Sequence, residues 1–186
     1  MRRAEYRGHV WSYDFVLDRT EKGGLLKFLP ILDEYTREAH AIGVGRSFRG
    51  KDVAAVLLQL FRVHGEPAYL RSDNGSEFLA QAVQEELAKA GVGTLFIAPG
   101  SPWENGYSEP FNSRFRDEFL DPELFTSPRG AAVLAEQFRV DYNVERLHMS
   151  LGYLTPAEFA ARSLPRALLP RCAGEASDSP GVREVF

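Results

Sequence analysis

The order of hydrophobic patterns along the chain restricts the fold more than any other feature of the sequence. Three β-type runs come first, at residues 9–17, 26–32 and 39–44, with polar connections between them. Apolar residues then recur with helical spacing from Val53, and a short strand at 68–71 follows. Three adjacent strands followed by alternating helices and strands predict an α/β fold with a mixed sheet.

The second half of the sequence continues this alternation. A helix is predicted from Ser76 to Ala90 and a strand from Val92 to Ile97, whereas the prolines and glycines of residues 98–107 indicate a loop. Three more helices are predicted, one around Phe111, Phe115 and Phe119, one from Pro128 with Ser127 as its N-cap, and one over 156–162. The inner face of the second of these would consist of Ala131, Leu134, Ala135, Phe138 and Tyr142. The predicted architecture resembles the ribonuclease H-like fold: a mixed five-stranded sheet, three antiparallel strands and then two parallel ones, flanked by helices.

Length and composition favour a single folded domain. The 186 residues are 44% hydrophobic, which is enough for a substantial core. We expect a short leader at residues 1–8, a core at 9–162 and a disordered tail at 163–186, where Pro, Gly, Ser and charged residues follow no period. The single cysteine, Cys172, has no partner for a disulfide.

Charge and hydropathy exclude other classes of protein. The formal net charge is −4, with 22 basic against 26 acidic side chains, so the chain is not a strongly basic autonomous DNA binder. It contains neither a run of eighteen apolar residues nor a secretory leader, and we therefore expect a cytoplasmic protein with no membrane partner.

Three acidic residues stand where chemistry could occur. Asp14 lies within the first strand, Asp73 follows the strand at 68–71, and Glu109 lies at a helix start. Each has an ordinary alternative, respectively a solvent-facing strand residue, an Asp-Asn-Gly turn and a helix cap. Together they can converge at one edge of the sheet, where three carboxylates repel each other unless a cation lies among them. Two Mg²⁺ or Mn²⁺ ions would suit such oxygen ligands.

Several extended motifs carry a family resemblance over residues 9–162. They are Trp11-Ser12-Tyr13-Asp14, residues 32–38 (LDEYTRE), residues 71–78 (RSDNGSEF), residues 99–112 (PGSPWENGYSEPFN) and the closing segment from Tyr142-Asn143 to Thr155-Pro156. The spacing of 35 residues between Asp73 and Glu109 is also that of the family. The chain resembles the DDE-type integrase catalytic core of bacterial insertion-sequence transposases, which is related to retroviral integrases.

The resemblance implies a function and a set of partners. Asp14, Asp73 and Glu109 would be the catalytic, metal-binding triad of an enzyme that nicks transposon-end DNA and joins its 3′-hydroxyl to target DNA. DNA would be the partner, and related integrases act as multimers, so we expect a homo-oligomer. Around the triad we expect DNA contacts from Asn74, Trp103, Asn112, Arg116, Arg146 and His148, of which Asn112 and Arg116 share the helix face of Glu109.

The sequence also departs from the family. Pro110 follows Glu109 where the family has a small or polar residue, so Glu109 would become the N-cap if Pro110 is the first helical residue. Complete transposases carry an N-terminal DNA-binding region, and we expect either a truncated fragment or a separately encoded DNA-binding subunit. The alternatives are a catalytically silent DNA-binding or dimerisation remnant and a ribonuclease H-like nuclease that cuts RNA. Asp33 and Glu34 are expected to be structural.

Overall fold

The computed structural model describes residues 3–97 and 108–163. Trp103 and the tail from residue 164 therefore lie outside the described residues, and the predictions made for them stay predictions. The strands are β1 (Val10–Tyr13), β2 (Val16–Arg19), β3 (Leu25–Asp33), β4 (Ala39–Gly45), β5 (Tyr69–Ser72) and β6 (Gly93–Phe96). The helices are α1 (Gly50–His64), α2 (Ser76–Leu79), α3 (Gln81–Lys89), α4 (Ser108–Phe115), α5 (Pro128–Val144) and α6 (Pro156–Arg162).

The sheet has the predicted mixed topology. β3 is antiparallel to β1 and β2 on one side and to β4 on the other. β1 is parallel to β5, which in turn is parallel to β6. The leading strands therefore form the antiparallel part of the sheet, and the two strands that alternate with helices form the parallel part, as the hydrophobic pattern indicated.

The first predicted strand is interrupted, which is why six strands occur instead of five. β1 and β2 keep one register against β3, since Tyr13 pairs with Ile31 and Val16 with Phe28. That register sets Asp14 opposite Pro30. Because Glu34 N donates to Val10 O, alternate residues of β3 point their N–H groups toward β1, and Pro30 falls in that series without a donor. The missing donor explains the interruption at Asp14.

The predicted helix from Ser76 to Ala90 is also interrupted, and it forms the two helices α2 and α3. Ala80 separates α2 from α3 with φ −57° and ψ 135°, an extended conformation. The backbone at Gly50, the start of α1, approaches so closely that a Cβ there would lie 2.3 Å from the Cβ of Ala80. Tight packing between α1 and this junction accompanies the break.

Two apolar clusters cover the two faces of the sheet. The α1 and α3 side contains Trp11, Leu57, Leu70 and Leu87. The α4 and α5 side contains an aromatic cluster formed by Phe28, Phe111, Phe115, Phe119 and Phe125. The predicted inner face of α5 is confirmed for Ala131, Ala135 and Tyr142, and Phe138 is partly buried against Phe115 and Phe119, but Leu134 is 39% exposed.

Helix ends and chain connections follow local chemistry. Ser127 caps α5 as predicted, with its Oγ accepting from Gly130 N at 3.1 Å. Beyond α4 the chain continues as a π-helical turn at Arg116–Leu120, and a 3₁₀ turn at Met149–Leu151 precedes α6.

Among the residues that the structure describes, no helix is long and apolar enough to cross a membrane.

Candidate active site at the ends of two parallel strands

Asp14 and Asp73 occupy equivalent places on neighbouring strands. Asp14 directly follows the last residue of β1, and Asp73 directly follows the last residue of β5. In this parallel pair Val10 is opposite Tyr69 and Ser12 is opposite Arg71, and the same register sets Asp14 opposite Asp73. Adjacent strands lie about 4.8 Å apart, so the two carboxylates belong to one end of the sheet.

A tight turn holds the carboxylate of Asp73. Its Oδ1 accepts from Gly75 N at 2.8 Å. The side chain of Asn74, predicted to contact DNA, donates from Nδ2 to the carbonyl of Ile97 at 2.9 Å. The loop after β5 is therefore tied to the chain just beyond β6, and Asn74 supports the turn from within the protein.

Replacing Gly75 with alanine tests this turn. A Cβ at Gly75 would lie 2.9 Å from Asp73 Oδ1 and 3.3 Å from the ring of Phe78, so the carboxylate has to move. If Asp73 is a metal ligand, as the sequence predicts, we expect Gly75→Ala to weaken Mn²⁺ binding about tenfold by displacing it, with little change in melting temperature. Isothermal titration with Mn²⁺ measures the effect, and Gly130→Ala, where the nearest atom is the Ser127 hydroxyl at 3.4 Å, is the control. Equal Mn²⁺ affinities for wild type and Gly75→Ala would contradict it.

An aromatic cluster supports the two aspartate-bearing strand ends. Phe78 of α2 packs edge-on against Tyr13 at 4.4 Å and stacks on Phe15 at 4.8 Å between ring centroids. Lys27 lies over the Phe15 ring, 3.7 Å from its centroid, and forms a salt bridge with Glu77. The short helix after Asp73 is therefore anchored on the residues that flank Asp14.

Two pKa shifts reflect this packing. Burial raises the pKa of Tyr13 to about 12, although its hydrogen bond with Ser72 acts in the opposite direction. The hydrogen bond from Lys27 lowers the pKa of Glu77. The Lys27–Glu77 pair joins residues fifty positions apart, so no local sequence pattern indicates it.

Helix α4 brings a third group of side chains to this end of the sheet. Asn112 Nδ2 donates to Asp14 Oδ2 at 3.2 Å. Glu109 lies three residues earlier in the first turn of α4 and is exposed. The helix already includes Ser108, so Pro110 is not its first residue and Glu109 is helical instead of an N-cap. Proline is tolerated there because N–H groups of the first turn have no partner within the helix.

The acidic side chains at this end of the sheet do not form a compact metal-binding group among the described residues. Within residues 3–97 and 108–163, no group of three or more His, Cys, Asp or Glu side chains is close enough to hold a metal ion. Asp14 and Asp73 lie at neighbouring strand ends, and Asn112 connects α4 to Asp14, but Glu109 does not complete a three-ligand group. Carboxylates repel one another without a cation between them, and backbone N–H groups bind Asp14 and Asp73 here.

The remaining predicted DNA contacts lie farther along the second half of the chain. Arg116 is exposed at the start of the π-helical turn. The guanidinium of Arg146 is engaged by both carboxylate oxygens of Glu118, one of them at 2.5 Å. His148 is partly buried, and its pKa falls to about 4 because of burial and the nearby arginines, Arg114 first. The charge of Arg146 is therefore largely offset within the protein.

Asp33 and Glu34 are structural, as the sequence indicated. The carboxylate of Asp33 accepts from the backbone N–H groups of Gly8, Tyr35 and Thr36. Glu34 is fully buried and accepts from Arg71 Nε at 2.8 Å, in a pair whose side chains are 0% and 5% exposed. These interactions secure the turn between β3 and β4 and the middle of β5.

The fold and these strand-end carboxylates define a protein of the ribonuclease H-like class. Two profiles described as integrase core domain match residues 4–102 and 90–156. The chain belongs to the integrase core domain family.

Related proteins come from bacterial insertion elements. The chain is 39% identical to the insertion element IS407 uncharacterized 31.7 kDa protein of Burkholderia multivorans, covering 87% of this chain and 58% of that protein. It is 38% identical to the insertion element IS476 uncharacterized 39.2 kDa protein of Xanthomonas euvesicatoria, covering 82% and 44%. The chain thus spans about half the length of these relatives.

Solved structures share the fold at low sequence identity. A chain of the simian T-cell lymphotropic virus intasome, in complex with PP2A regulatory subunit B56 gamma, aligns with a TM-score of 0.71 at 18% identity, covering 98% of this chain and 63% of that chain. The HTLV-2 integrase catalytic core domain, in complex with magnesium in its trimeric form, aligns with a TM-score of 0.68 at 16% identity, covering 85% and 99%. This similarity establishes the ribonuclease H-like architecture.

Proposed function

We propose that this chain is the catalytic core of a transposase that nicks DNA and transfers the resulting 3′ end to a second DNA. The observation that carries the proposal is the placement of Asp14 and Asp73 opposite each other at the ends of β1 and β5. Asn112, one turn after Glu109, contacts the first of these carboxylates, which brings α4 to the same end of the sheet. Family membership supports the same reading.

The donor set fits a hard divalent cation. Asp14, Asp73 and Glu109 supply only carboxylate oxygens, which Mg²⁺ and Mn²⁺ prefer. The structural neighbour from HTLV-2 was solved with magnesium. Two ions are proposed, held by these three residues, and when bound they would activate the attacking oxygen and stabilise the leaving oxygen of a phosphodiester.

The protein's own groups orient the ligands. Asn112 donates from Nδ2 to Asp14 Oδ2. The Oδ1 of Asn112 itself has no hydrogen-bond partner among the described residues. Gly75 and Asn74 keep the loop of Asp73 in place. In this arrangement β1, the loop after β5 and α4 each provide one acid, and the buried strand pairing sets the spacing of the first two.

DNA contacts and partners extend the proposal. Asn74, Trp103, Arg116, Arg146 and His148 remain proposed DNA contacts, whereas Asn112 is proposed to position Asp14 instead. The exposed Arg116 is the best placed of these contacts for a phosphate. Transposon ends and target DNA are the proposed substrates, reached in a bacterial cytoplasm. A homo-oligomer is expected, with a DNA-binding region supplied by further chain or by a separate subunit.

The test is a nicking assay on labelled duplex DNA carrying the ends of a related insertion element, with Mg²⁺, Mn²⁺ or EDTA. Cleavage that requires the metal and prefers element ends to an RNA–DNA hybrid is the expected result. Preference for the hybrid would point to a ribonuclease. DNA binding without cleavage would favour a catalytically silent core.

Asn112 is proposed as a positioning residue for Asp14. Replacing it with leucine removes a hydrogen bond to a carboxylate, which corresponds to roughly a 10- to 100-fold loss at about 1.5–3 kcal/mol. We expect Asn112→Leu to weaken Mn²⁺ binding and lower the nicking rate, with DNA affinity in EDTA unchanged. Metal titration and single-turnover nicking measure both, and Ser113→Ala on the exposed side of α4 is the control. A loss confined to DNA affinity would show a direct DNA contact instead.

A further inference from the structure

A cleft beside α4 has no role in the proposed chemistry so far. It has a volume of about 340 Å³ and lies between α4, the segment after α5 and the turn between β3 and β4. We call it the α4 cleft. Its lining includes Arg37, Pro110, Arg114, Leu147, His148 and Met149. Pro110 directly follows Glu109, so the cleft adjoins the proposed catalytic helix turn.

The α4 cleft is positively charged. None of its lining residues is acidic, whereas Arg37 and Arg114 both line it. Within residues 3–97 and 108–163, Arg114 takes part in no salt bridge. Burial, and after it the nearby arginines, lowers the pKa of His148 to about 4, so this imidazole is neutral near pH 7. The cleft therefore favours an anionic ligand.

His148 offers an unused polar atom in the same place. Its Nε2 is buried and has no hydrogen-bond partner among the described residues. Its ring packs edge-on against Tyr142 at 5.2 Å, which fixes its plane. Because a buried unpaired nitrogen costs free energy, a ligand that hydrogen-bonds to it gains accordingly.

Arg37 reaches the cleft from a strained position. Its φ of 65° is left-handed, a conformation that costs a residue with a Cβ on the order of 1 kcal/mol and that asparagine or glycine adopts more readily. The bonds from Thr36 N and Tyr35 N to Asp33 fix the turn. An arginine at this position is therefore unfavourable for the turn itself, which is consistent with a role for its side chain.

The mouth of the cleft is apolar. Leu147 is 60% exposed and Met149 is 76% exposed, and Pro110 is exposed as well. Cations beside apolar surface in a narrow concavity match an unpaired nucleotide, which has an anionic phosphate and an apolar base face. A duplex is too wide for a cleft of this volume.

We propose that the α4 cleft binds one unpaired nucleotide of the DNA strand next to the reacting phosphodiester. Arg37 and Arg114 would bind its phosphate, His148 Nε2 would meet a polar edge of the base, and Leu147 and Met149 would contact the base face. This inference rests on the proposed function, because it takes DNA as the substrate and the turn at Glu109 as the reacting end.

The test measures binding separately from cleavage. Fluorescence anisotropy with a labelled single-stranded 15-nucleotide DNA, in EDTA, compares wild type with Arg114→Gln and Arg37→Asn. We expect each variant to bind about tenfold more weakly and to reduce the slope of log affinity against log salt by about 0.7. Arg129→Gln, which removes one exposed charge from the first turn of α5, should change affinity less than twofold.

The outcomes separate this inference from the proposed function. Arg37→Asn should keep the wild-type melting temperature, which excludes unfolding as the cause of weaker binding. If both cleft variants bind like Arg129→Gln, or if wild type binds no single-stranded DNA, the inference is wrong even where wild type still nicks DNA. Binding that depends on the cleft, without metal-dependent nicking, would instead overturn the proposed function alone. If the cleft variants no longer bound an acidic leucine-rich peptide that wild type binds, but bound single-stranded DNA like wild type, the cleft would be a peptide site and the proposal would be wrong.

Discussion

Asp14→Asn and Asp73→Asn should each lower metal-dependent nicking by at least about 100-fold. Each replacement removes one proposed anionic ligand, and a Mg²⁺ site needs such negative charge, while the volume of the side chain is preserved. Asp14 and Asp73 stand opposite each other on adjacent parallel strands, so either loss leaves one carboxylate at the strand ends. The loss should appear in the single-turnover rate at saturating DNA.

The control for this prediction lies on β2, four residues beyond Asp14. Asp18→Asn makes the same chemical change on β2 and should leave nicking within about twofold of wild type. Glu109→Gln should also reduce nicking strongly if α4 supplies the third ligand. Wild-type rates in Asp14→Asn or Asp73→Asn would exclude these carboxylates from the reaction, whereas a defect in Glu109→Gln alone would relocate the metal to α4.

The sequence predicted where Asp14 and Asp73 lie better than it predicted the backbone details around them. The placement of Asp14 within a strand and of Asp73 after one follows from patterns a few residues long, and the structure sets both at one end of the sheet. The break at Asp14 was not predicted, because the effect of Pro30 depends on a pairing register that a single strand does not contain. The break at Ala80 has no local signal, since alanine is a good helix former.

Side-chain partners across long separations were also beyond sequence reasoning. Arg146 was expected to contact phosphate, and its pairing with Glu118 depends on how the π-helical turn packs against the end of α5. The cleft residues Arg37 and Arg114 come together only through the tertiary fold. Helix periodicity predicted Leu134 to be buried, but the width of the buried face of α5 depends on how the helix packs, which a local pattern does not contain.

Arg71→Met should destabilise the fold by about 3–5 kcal/mol near pH 7.5. The change leaves Glu34 buried without its cationic partner, and an unpaired buried charge is costly. Urea unfolding followed by circular dichroism measures the loss. Combining it with Glu34→Leu should recover much of the stability, because a buried ion pair can often be replaced by apolar groups.

The stability loss caused by Arg71→Met should depend on pH. Burial raises the pKa of Glu34 from 4.5 to about 6 despite the neighbouring Arg71. A folded carboxyl with a raised pKa binds its proton more tightly than the unfolded one, so its contribution to stability declines as the pH rises from 4.5 through 6. Without Arg71 the pKa of Glu34 rises further, and Arg71→Met should lose little stability at pH 5 and most at pH 7.5. An equal loss at both values would mean that packing, not charge, accounts for the effect.

The side chain of Asn143 ties the end of α5 to the start of β4. Its Oδ1 accepts from Ala39 N and its Nδ2 donates to Ala39 O, each at 2.9 Å, so an amide takes the place of a neighbouring strand. The two residues are 104 positions apart. At a synthesis rate of about 5–20 residues per second, a nascent β4 waits roughly 5–20 s for this partner to be made. During that interval the backbone of Ala39 lacks its native partner, and nearby emerging copies of the chain could pair with it instead.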